Sequence, residues 1–252
     1  MLGSWEPLLV LLVLVLCLVA VRRALNQHLP GAIYLVTRRE EWAFLLLYIV
    51  LLPGVLLHEL SHWVSAKLLG VRVGAVSLGP KSTRDGKRIE MGAVQIAKTD
   101  PFRESLVGVA PLVTGSGLIL CIARYRLGLE VLSAGGMADV PGWVHQCLTA
   151  PDAWIWLYLI FAVSNAMLPS ESDRRPWGPL LLYGAAVALL FYFVGGIRRV
   201  PDPVVGLGAA AVRYLTWAFG LTAVVDLVVL AMLLAIEVLV WLLLGRRLPW
   251  FR

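Results

Sequence analysis

His58 and His62 stand four residues apart with Glu59 beside the first, in the run Leu56-Leu57-His58-Glu59-Leu60-Ser61-His62-Trp63. On a helix, residues four apart share a face. Both imidazoles can therefore direct a ring nitrogen at one ion while the Glu59 carboxylate stands next to the remaining coordination position. This is the donor set of a catalytic Zn2+ site with a base built in. Zinc lowers the pKa of a bound water to about 7, and a carboxylate beside it can take the proton as the water attacks a peptide carbonyl, then return it to the leaving amine. A purely structural zinc favours a closed four-ligand site and has no use for a base. A chance pattern is the competing reading on any helix rich in Glu and His. Here only four histidines occur in the chain, and two of them fall in one apolar run, where an ionisable side chain is costly and signals function.

Two histidines from one helix leave such an ion one protein ligand short. His145, Asp152, Glu171 and Asp173 are the candidates. His145 and Asp152 precede the fourth apolar run and belong to the opposite membrane face from the histidine pair. Glu171 and Asp173 follow it, on the side where the histidine helix ends, and both remain open on these grounds. The competing role for Asp173 is a surface ion pair with Arg174 or Arg175. His28 and His145 sit in polar loops and read as solvated surface residues.

The elements that must position these groups are set by the solvent. Sixty per cent of the 252 residues are hydrophobic and 15% are charged, a composition that excludes an ordinary soluble domain. A span needs about 20 apolar residues to cross roughly 30 Å of hydrocarbon. Runs of this kind cover Pro7 to Val21, Trp42 to Leu69, Ser105 to Ala123, Ala153 to Leu168, Leu180 to Ile197 and Val204 to Gly245. In the last, Val204 to Phe219 reads as a partly amphipathic helix preceding a true span from about Leu221 to Leu244. The expected fold class is an all-α polytopic membrane protein of about six transmembrane helices. The expected divisions are an N-terminal anchor and loop (1–41), a catalytic core (42–177) and C-terminal transmembrane helices (178–252). The N-terminal run lacks a basic leader and ends in Val21-Arg22-Arg23 rather than small residues, so it reads as a retained anchor.

Between the second and third runs, two β-prone segments, Val71 to Leu78 and Ile89 to Ile96, flank a basic turn at Ser82 to Arg88, the pattern of a hairpin near the membrane surface. Lys67, Arg72, Lys81, Arg84, Lys87, Arg88, Lys98 and Arg103 gather in and beside it, which places this loop in the cytoplasm. The net charge of +6 borders apolar runs and meets lipid headgroups, so no nucleic-acid partner is implied. Cys17, Cys121 and Cys147 are too few and scattered for a disulfide framework and read as packing residues. Asp226 and Glu237 share a face of the last run, where pairing with a neighbouring polar group such as Arg213 is expected.

Four segments together resemble the site-2 proteases, a family of intramembrane zinc metalloproteases. They are HELSHWVSAKLLG in an apolar helix, the VSLGP and MGAVQI strands of the following loop, the small-residue and proline segment Val109-Ala110-Pro111-Leu112-Val113-Thr114-Gly115, and Ser164-Asn165-Ala166-Met167-Leu168-Pro169-Ser170-Glu171-Ser172-Asp173. The last occupies the place of the family's Asn-Pro and Asp-Gly motif, although Asp173 precedes Arg174-Arg175-Pro176 and the Asn-Pro pair is opened to Asn165 and Pro169. The resemblance covers roughly Trp42 to Trp177. It implies Zn2+ held by His58, His62 and Asp173, with Glu59 as catalytic base, in a multi-pass protein of a prokaryotic plasma (inner) membrane. It also implies hydrolysis of peptide bonds in or near the transmembrane segments of membrane-protein substrates. Asn165 would help hold the substrate backbone, or make an interhelical hydrogen bond instead. A strand edge at Met91, Gly92, Ala93 and Val94 would hold the substrate extended, or the hairpin would simply rest on headgroups. Two other classes of function compete. One is a non-proteolytic zinc-bearing assembly or regulatory subunit; the other is an ion transporter using Asp226 and Glu237, which leaves HELSH unused.

Overall fold

In hydrocarbon a backbone must satisfy its own N–H and C=O groups, so the apolar runs become helices. The computed structural model of the chain describes residues 5–82, 89–128, 140–193 and 202–245. Most of the basic turn, the segment containing Gly136, and Arg198, Arg199, Arg246, Arg247 and Arg252 lie outside the described residues. The elements run α1 (Glu6–Thr37), α2 (Glu40–Leu68), β1 (Val73–Ser82), β2 (Ile89–Ile96), α3 (Pro101–Tyr125), α4 (Val140–Thr149), α5 (Ala153–Met167), α6 (Glu171–Arg174), α7 (Trp177–Phe193) and α8 (Asp202–Leu244).

Four of the described helices are long and apolar enough to cross a membrane, over Glu6–Leu35, Glu41–Leu68, Pro101–Tyr125 and Pro203–Leu243. The protein is thus a mainly helical integral membrane protein with one small sheet. α5 is apolar but shorter, and it lies at the centre, with Ile160, Phe161, Ala162, Val163 and Met167 all buried. The sheet is the expected hairpin. β1 and β2 pair antiparallel with Val76 opposite Val94, Ser77 opposite Ala93 and Leu78 opposite Gly92, and the register is irregular on either side of that stretch.

The two ends of the chain differ from expectation. α1 does not stop at Val21; it continues through Arg22, Arg23 and His28 to Thr37. Polar residues need not end a helix when they find partners on another. Arg22 Nη1 donates to Leu168 O at 3.2 Å, and His28 Nδ1 pairs with Glu237 Oε2 at 2.9 Å. His28 is therefore not a solvated loop residue. The stretch expected to divide into two elements is a single 43-residue helix, α8. No proline follows Pro203 before its end, and isolated glycines cost a helix only about 1 kcal/mol each. The expected partner Arg213 is exposed and lies over the Tyr214 ring at 5.7 Å. Glu237 takes His28 instead, and Asp226 accepts from Ser164 Oγ at 2.9 Å.

Contacts fix the helix directions. α2 and α5 run the same way: the Tyr158 hydroxyl donates to Val50 O at 3.0 Å, and one turn along, Gly54 lies against the Ala162 backbone. α3 runs opposite to α2, with Thr114 at Ser61 and Val107 at His62. α1 and α8 pack extensively and run in the same direction, because Arg22 and Asp226 meet near the end of α5 while His28 meets Glu237 further along both. An alternation of six passes would run the first and last helices oppositely. Among the described residues, the bundle is instead α1, α3 and α8 in one direction and α2 and α5 in the other.

Without a hydrophobic drive between helices in lipid, close approach through small residues supplies much of the packing. A Cβ on Gly54 would run into the carbonyl of Ala162. Gly54→Ala is expected to lower stability by about 1–3 kcal/mol, the usual cost of overpacking. Gly117→Ala, where nothing lies within 4 Å, should unfold at or above the wild-type temperature; thermal unfolding of both proteins in detergent checks this.

Candidate metal centre

The histidine pair sits in the last third of α2, followed by the hairpin and flanked by α3 and α5. His58 and His62 fall one turn apart on the α2 face turned toward these two helices, with Nε2 atoms 3.1 Å apart. His62 Nδ1–H donates to Val107 O at 2.9 Å, which turns Nε2 toward the cluster, where it can carry either a proton or a bound ion. The sequence explains why this carbonyl is free to accept. Pro111 is four residues after Val107 within α3, and proline has no N–H to return to the carbonyl one turn back. His58 Nδ1 is buried near the Ala166 backbone without forming a well-aligned hydrogen bond.

Asp173 closes the cluster. Its Oδ1 lies 3.2 Å from His62 Nε2 and its Oδ2 lies 3.7 Å from His58 Nε2. The carboxylate is held by a capping box at the start of α6. Ser170 N donates to Asp173 Oδ2 at 2.7 Å, and Asp173 N donates back to Ser170 Oγ at 3.3 Å. The hydroxyl of Ser170 adds a 2.6 Å bond to the same carboxylate oxygen. Burial raises the Asp173 pKa, but the hydrogen bonds from His62 and Ser170 outweigh it and hold the acid down at about 2. The group is therefore anionic throughout the physiological range.

The donor set fits a metal ion. One ligand atom from each of His58, His62 and Asp173 falls within 4.8 Å of the others. A tetrahedral ion with bonds of about 2.0–2.2 Å would hold its ligand atoms about 3.3–3.6 Å apart, against 3.1 Å between the two Nε2 atoms and 3.2 Å from His62 Nε2 to Asp173 Oδ1 here. Acceptor atoms at such separations repel one another unless a cation or a proton lies between them.

Glu59 shares the helix but faces the hairpin. It is 7% exposed and close enough to act on the charge of His62. β2 crosses directly over it: a Cβ on Gly92 would lie 2.8 Å from Glu59 Cγ and 2.9 Å from Oε1. Gly108 of α3 plays the same part for the third ligand, since a side chain there would strike the backbone oxygen of Asp173.

The other expected site residues are placed as follows. Glu171 is exposed at the first position of α6. His145 is exposed on α4. Asn165 is 9% exposed; its Nδ2 donates to Phe161 O at 2.9 Å and reaches Asp226 Oδ1 at 3.5 Å, the interhelical bond expected as one of its two roles. Met91, Gly92, Ala93 and Val94 lie in β2, whose outer edge has no strand partner among the described residues.

Sequence reading missed the capping box, although Ser170-Glu171-Ser172-Asp173 has the required spacing. It also missed Val107, for which Pro111 four residues later was the available signal. The chain matches no protein-family model, no curated protein and no solved structure.

Zinc stoichiometry of purified variants checks the cluster. Asp173→Ala should lose most of the bound metal and Glu171→Ala should retain it. Ser170→Ala should bind about 10-fold more weakly, as is usual when a ligand loses an outer hydrogen bond. Metal loss in Glu171→Ala alone would transfer the ligand to Glu171.

Proposed function

We propose that the chain is an intramembrane zinc metalloprotease of the site-2 protease kind, cleaving peptide bonds in or near the transmembrane segments of membrane-protein substrates. The observation that carries this reading is the placement of Glu59, a buried carboxylate beside a His58, His62 and Asp173 cluster and under a strand edge. A metal-binding assembly subunit needs the cluster but neither the carboxylate nor the edge.

Zinc, when bound by His58, His62 and Asp173, supplies a Lewis acid that makes water nucleophilic near neutral pH. The remaining work falls to the chain. Glu59 accepts the proton given up by the attacking water and delivers it to the departing amine. The outer edge of β2 at Met91, Gly92, Ala93 and Val94 pairs with an unwound substrate segment, because a helical substrate hides its carbonyls in its own hydrogen bonds. Gly92 lets that strand approach Glu59 closely enough for the peptide to lie between the base and the metal cluster. Asn165 adds a contact to the substrate backbone, as the family resemblance implies, beside its bond to α8.

On this reading α5 also crosses the membrane as a fifth span, one fewer than the six counted from apolar runs and in keeping with the shared direction of α1 and α8, and the hairpin faces the cytoplasm of a prokaryotic inner membrane. Cysteines placed at Ser82 and Gly136 should then label from opposite sides in intact cells, with Ser82 on the cytoplasmic side; external labelling of Ser82 would reverse the orientation.

Glu59→Gln tests the mechanism. The variant should keep its zinc and lose cleavage of tagged single-span substrates by about 10²–10⁴-fold, the range for removing a general base. Equal cleavage by both proteins would sink the proposal. Zinc binding by both with cleavage by neither, across a substrate panel, would favour the assembly subunit.

A further inference from the structure

Arg22, Asp226, Ser164 and Asn165 form a polar cluster inside the bundle, and of these the chemistry above uses only Asn165. Asp226 is 3% exposed. It accepts from Ser164 Oγ at 2.9 Å and from Asn165 Nδ2 at 3.5 Å, and it and Arg22 sense one another's charge. Arg22 Nη1 donates to Leu168 O at 3.2 Å. Leu168 is the C-cap of α5, where the last carbonyls have no partner within the helix. Pro169 follows, then the capping box that holds Asp173. The electrostatic influence of Arg22 reaches His58 as well.

We propose that Arg22 and Asp226 are positioning residues for the metal centre. α1 and α8, which lie outside the stretch resembling the protease core, clamp the last turn of α5 from two sides and so set where Asp173 meets His58 and His62. A buried carboxylate and a half-buried guanidinium are costly in hydrocarbon. Their joint bonds converge on the five residues from Ser164 to Leu168 that precede the turn carrying Asp173. Bracing of this kind around a ligand is what a metal site requires of its supporting groups. His28 and Glu237 cross-link the same two helices further along, away from the α5 terminus, and so provide a contrast between local positioning and general packing of α1 on α8.

The inference rests on the metal reading of the site, and its test has one arm that does not. Full-length protein in detergent, stripped of metal, is titrated with Co2+ while the visible absorption bands report ligand geometry. In parallel, hydrogen exchange is followed at the amides of residues 168–174 without metal. Arg22→Met and Asp226→Leu should each weaken Co2+ binding at least tenfold, alter the absorption bands, and speed exchange at residues 168–174. Arg22→Lys and Asp226→Asn should fall between these and wild type, and they carry the test if the stronger substitutions do not fold. His28→Ala should leave the bands and the exchange of residues 168–174 as in wild type. Unchanged binding and exchange in the Arg22 and Asp226 variants would overturn the proposal, and so would an equal disturbance in His28→Ala. A wild-type protein that takes up no Co2+ defeats the metal reading, and the exchange arm then decides positioning alone. Loss of proteolysis is not a readout here.

Discussion

A polar group in hydrocarbon has no water to turn to, so polar side chains inside this bundle are drawn to partners on other segments of the chain. That requirement organises the molecule. His62 is answered by Val107 O on α3, Ser61 by Thr114, Ser164 and Asn165 by Asp226, Arg22 by Leu168 O, and His28 by Glu237. Each such bond between helices contributes on the order of 1 kcal/mol. Their larger effect is to index the helices along their length, because a helix shifted by one turn would leave several polar groups unpaired at once.

Packing follows from the same solvent. Apolar side chains gain little by leaving lipid for protein, so the helices adhere where their surfaces approach most closely. Gly54 and Gly108 mark such places, one where α2 meets α5 and the other where α3 meets the turn carrying Asp173. The first sets the depth of the histidine helix against α5. The second lets the ligand-bearing turn settle against α3, next to the carbonyl that orients His62. Small residues that look incidental in an apolar run therefore determine whether the donor atoms of His58, His62 and Asp173 converge.

The hairpin adds the other half of the site. Antiparallel pairing with β1 satisfies one edge of β2, and the strand is laid across Glu59 at Gly92. Glu59 and the strand are thereby brought together beside the His58, His62 and Asp173 cluster. A carboxylate roofed by backbone in this way is screened from bulk water, so its electrostatic interactions are stronger than they would be in solution.

Much of this was written in the order of residues. The four-residue spacing of His58 and His62 needs only a helix to become a shared face, and an apolar run of that length in lipid has no other structure open to it. The hairpin likewise follows from β-prone segments around a turn. The capping box was also local and legible in Ser170 to Asp173, but its significance depended on what the turn touched. Tertiary structure alone decided the rest: that α1 continues past Arg22 to His28, that Asp226 turns to α5 and Glu237 to His28 rather than to Arg213, that α8 follows α1 in direction, and that Gly92 rather than a neighbour covers Glu59. In a soluble protein, alternating polar and apolar faces betray which side of a helix is buried. Here lipid-facing and protein-facing sides are both apolar, so periodicity carries little information about neighbours, and only the assembled bundle shows which polar residue answers which.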